Sequence, residues 1–130
     1  MRILIVDDDP GTADLLEISV SLWDHSASKA VNANEAIELL KQETYDVIIT
    51  DAEMPGMSGF ELCRYVRLRF PHMFIIGITG SLDFHKFREA GADRFFKKPF
   101  QLDDLHAVLK NIQPALESGT RLSEAGCADC

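Results

Sequence analysis

Asp7, Asp8, Asp51, Thr79 and Lys98 are the side chains whose types and positions suit joint chemistry. Each ends or follows a short strand-like run: Ile3-Leu4-Ile5-Val6 before the acidic pair, Val47-Ile48-Ile49-Thr50 before Asp51, Phe74-Ile75-Ile76-Gly77-Ile78 before Thr79, and Arg94-Phe95-Phe96-Lys97 before Lys98. Carboxylates gathered at one place repel one another and raise some of their own pKa values unless a cation joins them. A hard divalent ion with oxygen ligands answers that repulsion, and Mg²⁺ typically binds through one or two carboxylates, several waters and a phosphate oxygen. Beside such an ion, the Thr79 hydroxyl can donate to a phosphoryl oxygen and the Lys98 ammonium can neutralise its charge. Taken singly, each residue has a plainer reading. Asp51, ahead of Pro55-Gly56, also suits a cap or turn former; Asp7-Asp8-Asp9 suits a solvated helix start; Thr79 suits a strand-end hydroxyl and Lys98 a surface lysine.

The joint reading requires all these strand ends to lie on one edge, as a parallel sheet would arrange them. The apolar runs at 3–6, 46–50 and 74–78 have the continuous character of strands covered on both faces, with a weaker strand near 27–31 and a fifth at 94–97. Between them lie helical patterns. The first opens at Asp9-Pro10, with Asp9 as N-cap and Leu15, Leu16, Ile18, Val20, Leu22 and Trp23 as its apolar side. The second carries Ala33, Ala36, Ile37 and Leu40, and the third opens on a Ser58-x-x-Glu61 capping box and carries Leu62, Cys63 and Val66. A short fourth helix at about 82–90 ends at Ala90-Gly91, and the fifth shows Leu102, Leu105, Leu109 and Ile112 on one face, with Pro114 as its stop. Strand and helix alternate five times, which specifies an α/β fold with a parallel sheet and helices on both faces.

The totals fit one domain: 130 residues, 46% hydrophobic and 26% charged. A net charge of -8 argues against direct nucleic-acid binding, and no apolar run reaches membrane-spanning length, so a cytoplasmic location is the default expectation. Residues 114–130 read as a mobile tail or linker after a domain at 1–113. His25, His72, His85 and His106 share no ligand spacing and read as surface residues. Cys127-x-x-Cys130 has metal or redox spacing but no second ligand pair, which favours a frayed tail. Glu61, Arg64 and Arg67 read as a solvated helix face or a partner surface.

Over roughly residues 2–113 the chain resembles the receiver domain of bacterial two-component response regulators, through Ile5-Val6-Asp7-Asp8-Asp9, Asp51 with Met54-Pro55-Gly56, Thr79, and Lys98-Pro99-Phe100. The resemblance implies a flavodoxin-like (βα)5 sandwich with strand order 2-1-3-4-5. It implies that Asp51 accepts a phosphoryl group from a sensor histidine kinase or phosphotransfer protein. Mg²⁺ (or Mn²⁺) would be held by Asp8, Asp7 (largely through water), Asp51 and the backbone carbonyl of Glu53. Thr79 and Lys98 would bind the phosphoryl group, with Lys98 oriented by a Lys-Pro peptide that is often cis in this family. Phe95 would be the aromatic switch residue, although Phe95 and Phe96 alternate and one of them must be ordinary core. Glu53 and Ser81, each two positions after a site residue, would tune phosphoryl lifetime. The output would be altered binding of a downstream protein or effector domain, including phosphorylation-dependent homodimerisation, in a protein that is not a conventional enzyme.

Two departures frame the alternatives. Thr79 and Lys98 are 19 positions apart, about one helical turn less than in the usual receiver, so a shortened fourth helix is expected and the usual output surface is in question. Asp51-Ala52-Glu53 also faintly resembles the D-x-D of haloacid-dehalogenase-type phosphatases, although that motif follows a first strand in longer chains. A receiver-like module working without phosphorylation is the other alternative. With no effector pattern after 113, the expectation is a stand-alone receiver or the receiver part of a longer regulator.

Overall fold

Five short runs, of which those at 2–6, 47–51 and 74–79 are rich in β-branched residues, form one parallel sheet in the computed structural model, which describes residues 1–81 and 85–117, with side chains to 112. The strands are β1 (Arg2–Val6), β2 (Ser26–Ala30), β3 (Val47–Asp51), β4 (Phe74–Thr79) and β5 (Arg94–Lys97), in the order β2-β1-β3-β4-β5. The helices are α1 (Pro10–Leu22), α2 (Ala33–Gln42), α3 (Gly59–Arg69), α4 (His85–Ala90) and α5 (Leu102–Glu117). The fold class and strand order are those implied by the sequence.

The residues group as two compact units, Met1–Pro99 and a C-terminal unit from Phe100 onward. In the first, β1, β3 and β4 are buried almost throughout. Alternation divides their side chains between two faces. Leu4, Val6, Ile48 and Ile75 join one core with Ala36 and Leu40 of α2, Leu62 and Val66 of α3, and Phe87 and Ala90 of α4. On the other face lies α1, through Ala13, Leu16 and Val20. Each fully buried Leu, Ile or Phe contributes roughly 1.5–3 kcal/mol, so this two-sided burial is what holds the strand ends at a common edge. In the second unit, α5 buries Leu105, Leu109 and Ile112.

Local signals agree with these boundaries. The Asp9 carboxylate caps α1, accepting from Thr12 N at 3.3 Å, and Pro10 occupies the first turn. Ser58 and Glu61 form a reciprocal capping box at α3, with Glu61 N donating to Ser58 Oγ and Ser58 N to Glu61 Oε1. The described part of α4 has six residues, in keeping with the short 79–98 interval.

Four expectations require correction. The α1 residues Leu15, Ile18 and Leu22 are 52%, 57% and 76% exposed, because only one stripe of a helix can face a sheet and Ala13, Leu16 and Val20 occupy it. α5 runs through Pro114 to Glu117: proline removes one helical N–H but its fixed φ is compatible with a helix. His25 is buried at 6% exposure, its Nδ1 3.2 Å from the Met1 amino group, because the turn before β2 folds back against the start of β1. Arg67 is no solvated residue. It donates to Gly91 O (3.0 Å), Pro71 O (2.8 Å), Met73 O (3.0 Å) and Asp93 Oδ2 (2.7 Å), while Asp93 Oδ2 also accepts from Ile75 N (2.8 Å). This clamp fastens the end of α3 to the starts of β4 and β5, a role set by tertiary approach and invisible to helical periodicity. Residues 118–130, including Cys127-x-x-Cys130 and most of the expected tail, lie outside the described residues. Among those described, no helix is long and apolar enough to cross a membrane.

Candidate functional site

The sheet edge is assembled by register. β1 pairs with β3 so that Val6 lies beside Thr50, and β3 pairs with β4 so that Asp51 lies beside Ile78, one residue before Thr79. Pairing continues past the strands: Asp7 N donates to Ala30 O (3.1 Å), Ala52 N to Ile78 O (2.8 Å) and Lys98 N to Thr79 O (2.7 Å). Asp7, Asp51, Thr79 and Lys98 are thus tied by backbone bonds to adjacent strands, which is the convergence that the sequence pattern implied. The Lys98–Pro99 peptide is cis.

Asp7, Asp8 and Asp51 each offer an oxygen, and these oxygens lie within 4.8 Å of one another. Asp7 and Asp51 are buried and Asp8 is exposed. Lys98 Nζ lies 3.0 Å from Asp51 Oδ1 and 3.8 Å from Asp7 Oδ2. These are charge contacts rather than aligned hydrogen bonds, and both oxygens are buried without a hydrogen-bond partner among the described residues. Burial, then the charge of Asp7, push the Asp51 carboxyl above its ordinary pKa of 3.8 against the pull of Lys98. Burial likewise raises Asp7, opposed by the Asp9 amide and Lys98. Burial works against the Lys98 ammonium too, yet its contact with Asp51 and the charges of Asp7 and Glu53 leave it above the ordinary lysine value.

Three carboxylates whose oxygens lie this close together, with a single ammonium beside them, are ligands suited to a hard cation, so the residues present fit a divalent ion. Asp8 opens this centre to a cleft lined also by Glu53, Met54, Phe60 and Lys86.

Thr79 is fully buried. Its Oγ1 donates to Glu53 Oε2 at 3.1 Å, accepts from Ser81 N at 3.1 Å and lies 3.2 Å from Ser81 Oγ. Glu53 and Ser81 therefore meet at Thr79 itself. Phe95 is half-buried against the core shared by α2, α3 and α4, with the Arg88 guanidinium 5.4 Å from its ring centre. Phe96, next along the strand, faces the other side and is also half-buried.

Two further positions shape the site. A Cβ on Gly59 would stand 1.9 Å from the carbonyl oxygen of Asp51, so only glycine lets the start of α3 pass this close to the end of β3. A Cβ on Gly77 would stand 2.5 Å from the Phe87 ring, which lies flush on β4 two residues before Thr79. Phe87 also contacts Phe60, with ring centres 4.6 Å apart, and Lys86 lies over the Phe60 ring. The only sequence signal for either glycine was its placement in a helix start or a strand, where glycine has a poor propensity.

Asp51 closes the third strand, whereas the D-x-D motif of the phosphatases follows a first strand. Comparison with known proteins agrees with this arrangement. Residues 3–110 match the family model described as the response regulator receiver domain. The chain is 35% identical over 108 residues to the uncharacterized transcriptional regulatory protein YrkP of Bacillus subtilis, covering 82% of this chain and 46% of that protein, so it spans about half the relative's length. Among solved structures, the response regulator TrrA of Thermotoga maritima in complex with Mg²⁺-BeF is similar at 32% identity and a TM-score of 0.78, covering 85% of this chain and 96% of that one. A two-component response regulator from Clostridium difficile superposes with a TM-score of 0.84 at 25% identity, over 89% and 98% of the two chains. On fold, acidic site and family match together, this chain belongs to the response regulator receiver domains.

Proposed function

We propose that the chain receives a phosphoryl group on Asp51 from a sensor histidine kinase or phosphotransfer protein and thereby changes its binding of a downstream protein or effector domain. The observation that carries the reading is the pairing of Asp51 with Lys98 at 3.0 Å beside two further carboxylates at one sheet edge. In the transfer, a carboxylate oxygen of Asp51 forms the new bond to phosphorus, and the bond to the donor's leaving group breaks with its electron pair departing on that group. Lys98 offsets charge on Asp51 and the arriving phosphoryl oxygens, and Thr79 donates its hydroxyl proton to one of those oxygens. Asp7, Asp8, Asp51 and the backbone carbonyl of Glu53 are the groups that would hold Mg²⁺ or Mn²⁺, which when bound supplies charge neutralisation between the carboxylates and the phosphoryl oxygens.

Movement of Thr79 toward the new group draws Phe95 inward, and the surface around α4 and β5 changes as a population shift. Glu53 and Ser81 set how long the phosphoryl group persists. Homodimerisation is one form the output can take, and the reaction is single acceptance and release on the chain itself rather than conventional enzyme turnover. The location expected is the cytoplasm, where the proposed donors act.

Incubation with a small-molecule phosphodonor and Mg²⁺ tests the reading. One added phosphoryl mass is expected for the native sequence and none for Asp51→Asn, without turnover of a generic phosphomonoester. An unchanged mass would favour a phosphorylation-independent module, and sustained turnover would favour a phosphatase.

A further inference from the structure

A threonine hydroxyl has a single proton to donate, and in this structure the proton of Thr79 has a taker already. Thr79 Oγ1 lies 3.1 Å from Glu53 Oε2, a bond to a carboxylate and hence charge-assisted. The same hydroxyl accepts from Ser81 N at 3.1 Å, so its geometry is fixed from the other side. Thr79 is fully buried at the end of β4, whereas Glu53 is exposed and lines the open cleft shared with Asp8 and Lys86. The buried partner is held in place, and the exposed partner is free to leave.

We propose that Glu53 is a resting-state latch: its carboxylate occupies the Thr79 hydroxyl that a phosphoryl group on Asp51 must recruit, so each activation begins by displacing Glu53. The inference rests on the phosphoacceptor reading of Asp51 and deepens it by naming what holds the switch off. A phosphoryl oxygen and the Glu53 carboxylate are both anionic acceptors competing for one proton, so they exclude each other. The stronger the Thr79–Glu53 bond, the larger the share of resting molecules and the weaker the apparent affinity for an activating group. Glu53 is a positioning residue in this scheme, acting through Thr79.

A purely electrostatic role is the rival, since the Glu53 charge also faces Asp51 and Lys98. A double-mutant cycle separates the two. The apparent affinity of the full chain for beryllofluoride at saturating Mg²⁺ is measured for the native sequence, Glu53→Ala, Thr79→Ala and the double variant. The latch requires Glu53→Ala to bind about three- to tenfold tighter than the native chain. It requires the same substitution to change little in the Thr79→Ala background, and the effect to return in Thr79→Ser, which keeps the hydroxyl. Glu53→Gln, which retains an acceptor without the charge, falls between. An equal gain in both backgrounds, or no gain at all, overturns the latch while leaving Asp51 as acceptor. Failure of the native chain and every variant to bind beryllofluoride overturns both.

Discussion

Asp7 Oδ2 and Asp51 Oδ1 are buried carboxylate oxygens without a hydrogen-bond partner among the described residues, with only the Lys98 ammonium beside them, and this local charge imbalance sets the acidic sheet edge apart from a solvated acidic surface. The positions that converge there were legible in the sequence because each directly ends or follows a strand, and parallel strands carry such residues to one edge. Glu53 and Ser81 were also singled out, but their meeting at the Thr79 hydroxyl depends on side-chain direction, which spacing does not encode. Arg67 and Gly59 were unreadable for a related reason: their roles follow from which backbones pass close to them. Cys63 illustrates a residue that chemistry leaves idle. Burial pushes its thiol from 9.0 up to about 12, with Sγ 3.5 Å from Ala90 O. The folded chain keeps the thiol neutral where the unfolded chain ionises it, so stability is insensitive to this group below pH 9.0 and falls as pH rises from 9.0 toward 12. Peptide mapping after iodoacetamide treatment at pH 8 is expected to find Cys63 unmodified in the native protein and modified in denaturant.

At the scale of elements, caps and breakers marked helix starts well, since Asp9, Ser58 and Glu61 act through neighbours three residues away and Pro10 through its own fixed φ in the first turn. Helix faces were less legible. Leu15, Ile18 and Leu22 on α1 are as apolar as the residues it buries, and only the sheet decides which stripe is covered. The brevity of α4 could be read from the interval before Lys98, but its anchorage could not: Phe87, fully buried, takes the space that a side chain at position 77 would fill. Gly77→Ala therefore overpacks the α4–β4 contact, and a loss of about 1–3 kcal/mol is expected in denaturant unfolding. Gly59→Ala meets backbone rather than a side chain and is expected to cost more, about 3 kcal/mol or above, by separating α3 from the end of β3. Equal and negligible losses would show that neither approach is as close as 1.9 or 2.5 Å.

For the molecule as a whole, alternation of strands and helices was enough to indicate a parallel sheet with helices on both faces, whereas the order β2-β1-β3-β4-β5 was legible only through the family resemblance. With a net charge of -8 and carboxylates concentrated at one edge, the folded chain is expected to respond to divalent cations. Binding to the folded state alone stabilises by about 2.7 kcal/mol at a hundredfold excess over Kd. Mg²⁺ is expected to raise the melting temperature of the native sequence by several degrees, roughly 4–8 °C per 1 kcal/mol for a 60–100-residue domain and less for a longer chain. The shift should shrink sharply in Asp8→Ala, and an equal shift in both proteins would place the cation elsewhere.

The central claim is that Asp51 itself carries the phosphoryl group, and reductive trapping reads it directly. After phosphorylation with a small phosphodonor and Mg²⁺, borohydride converts an aspartyl phosphate to homoserine, which peptide mass spectrometry locates by position. Homoserine at position 51 alone, absent when Mg²⁺ is withheld, is the expected result. Trapping at Asp7 or Asp8, or no homoserine anywhere, would contradict it.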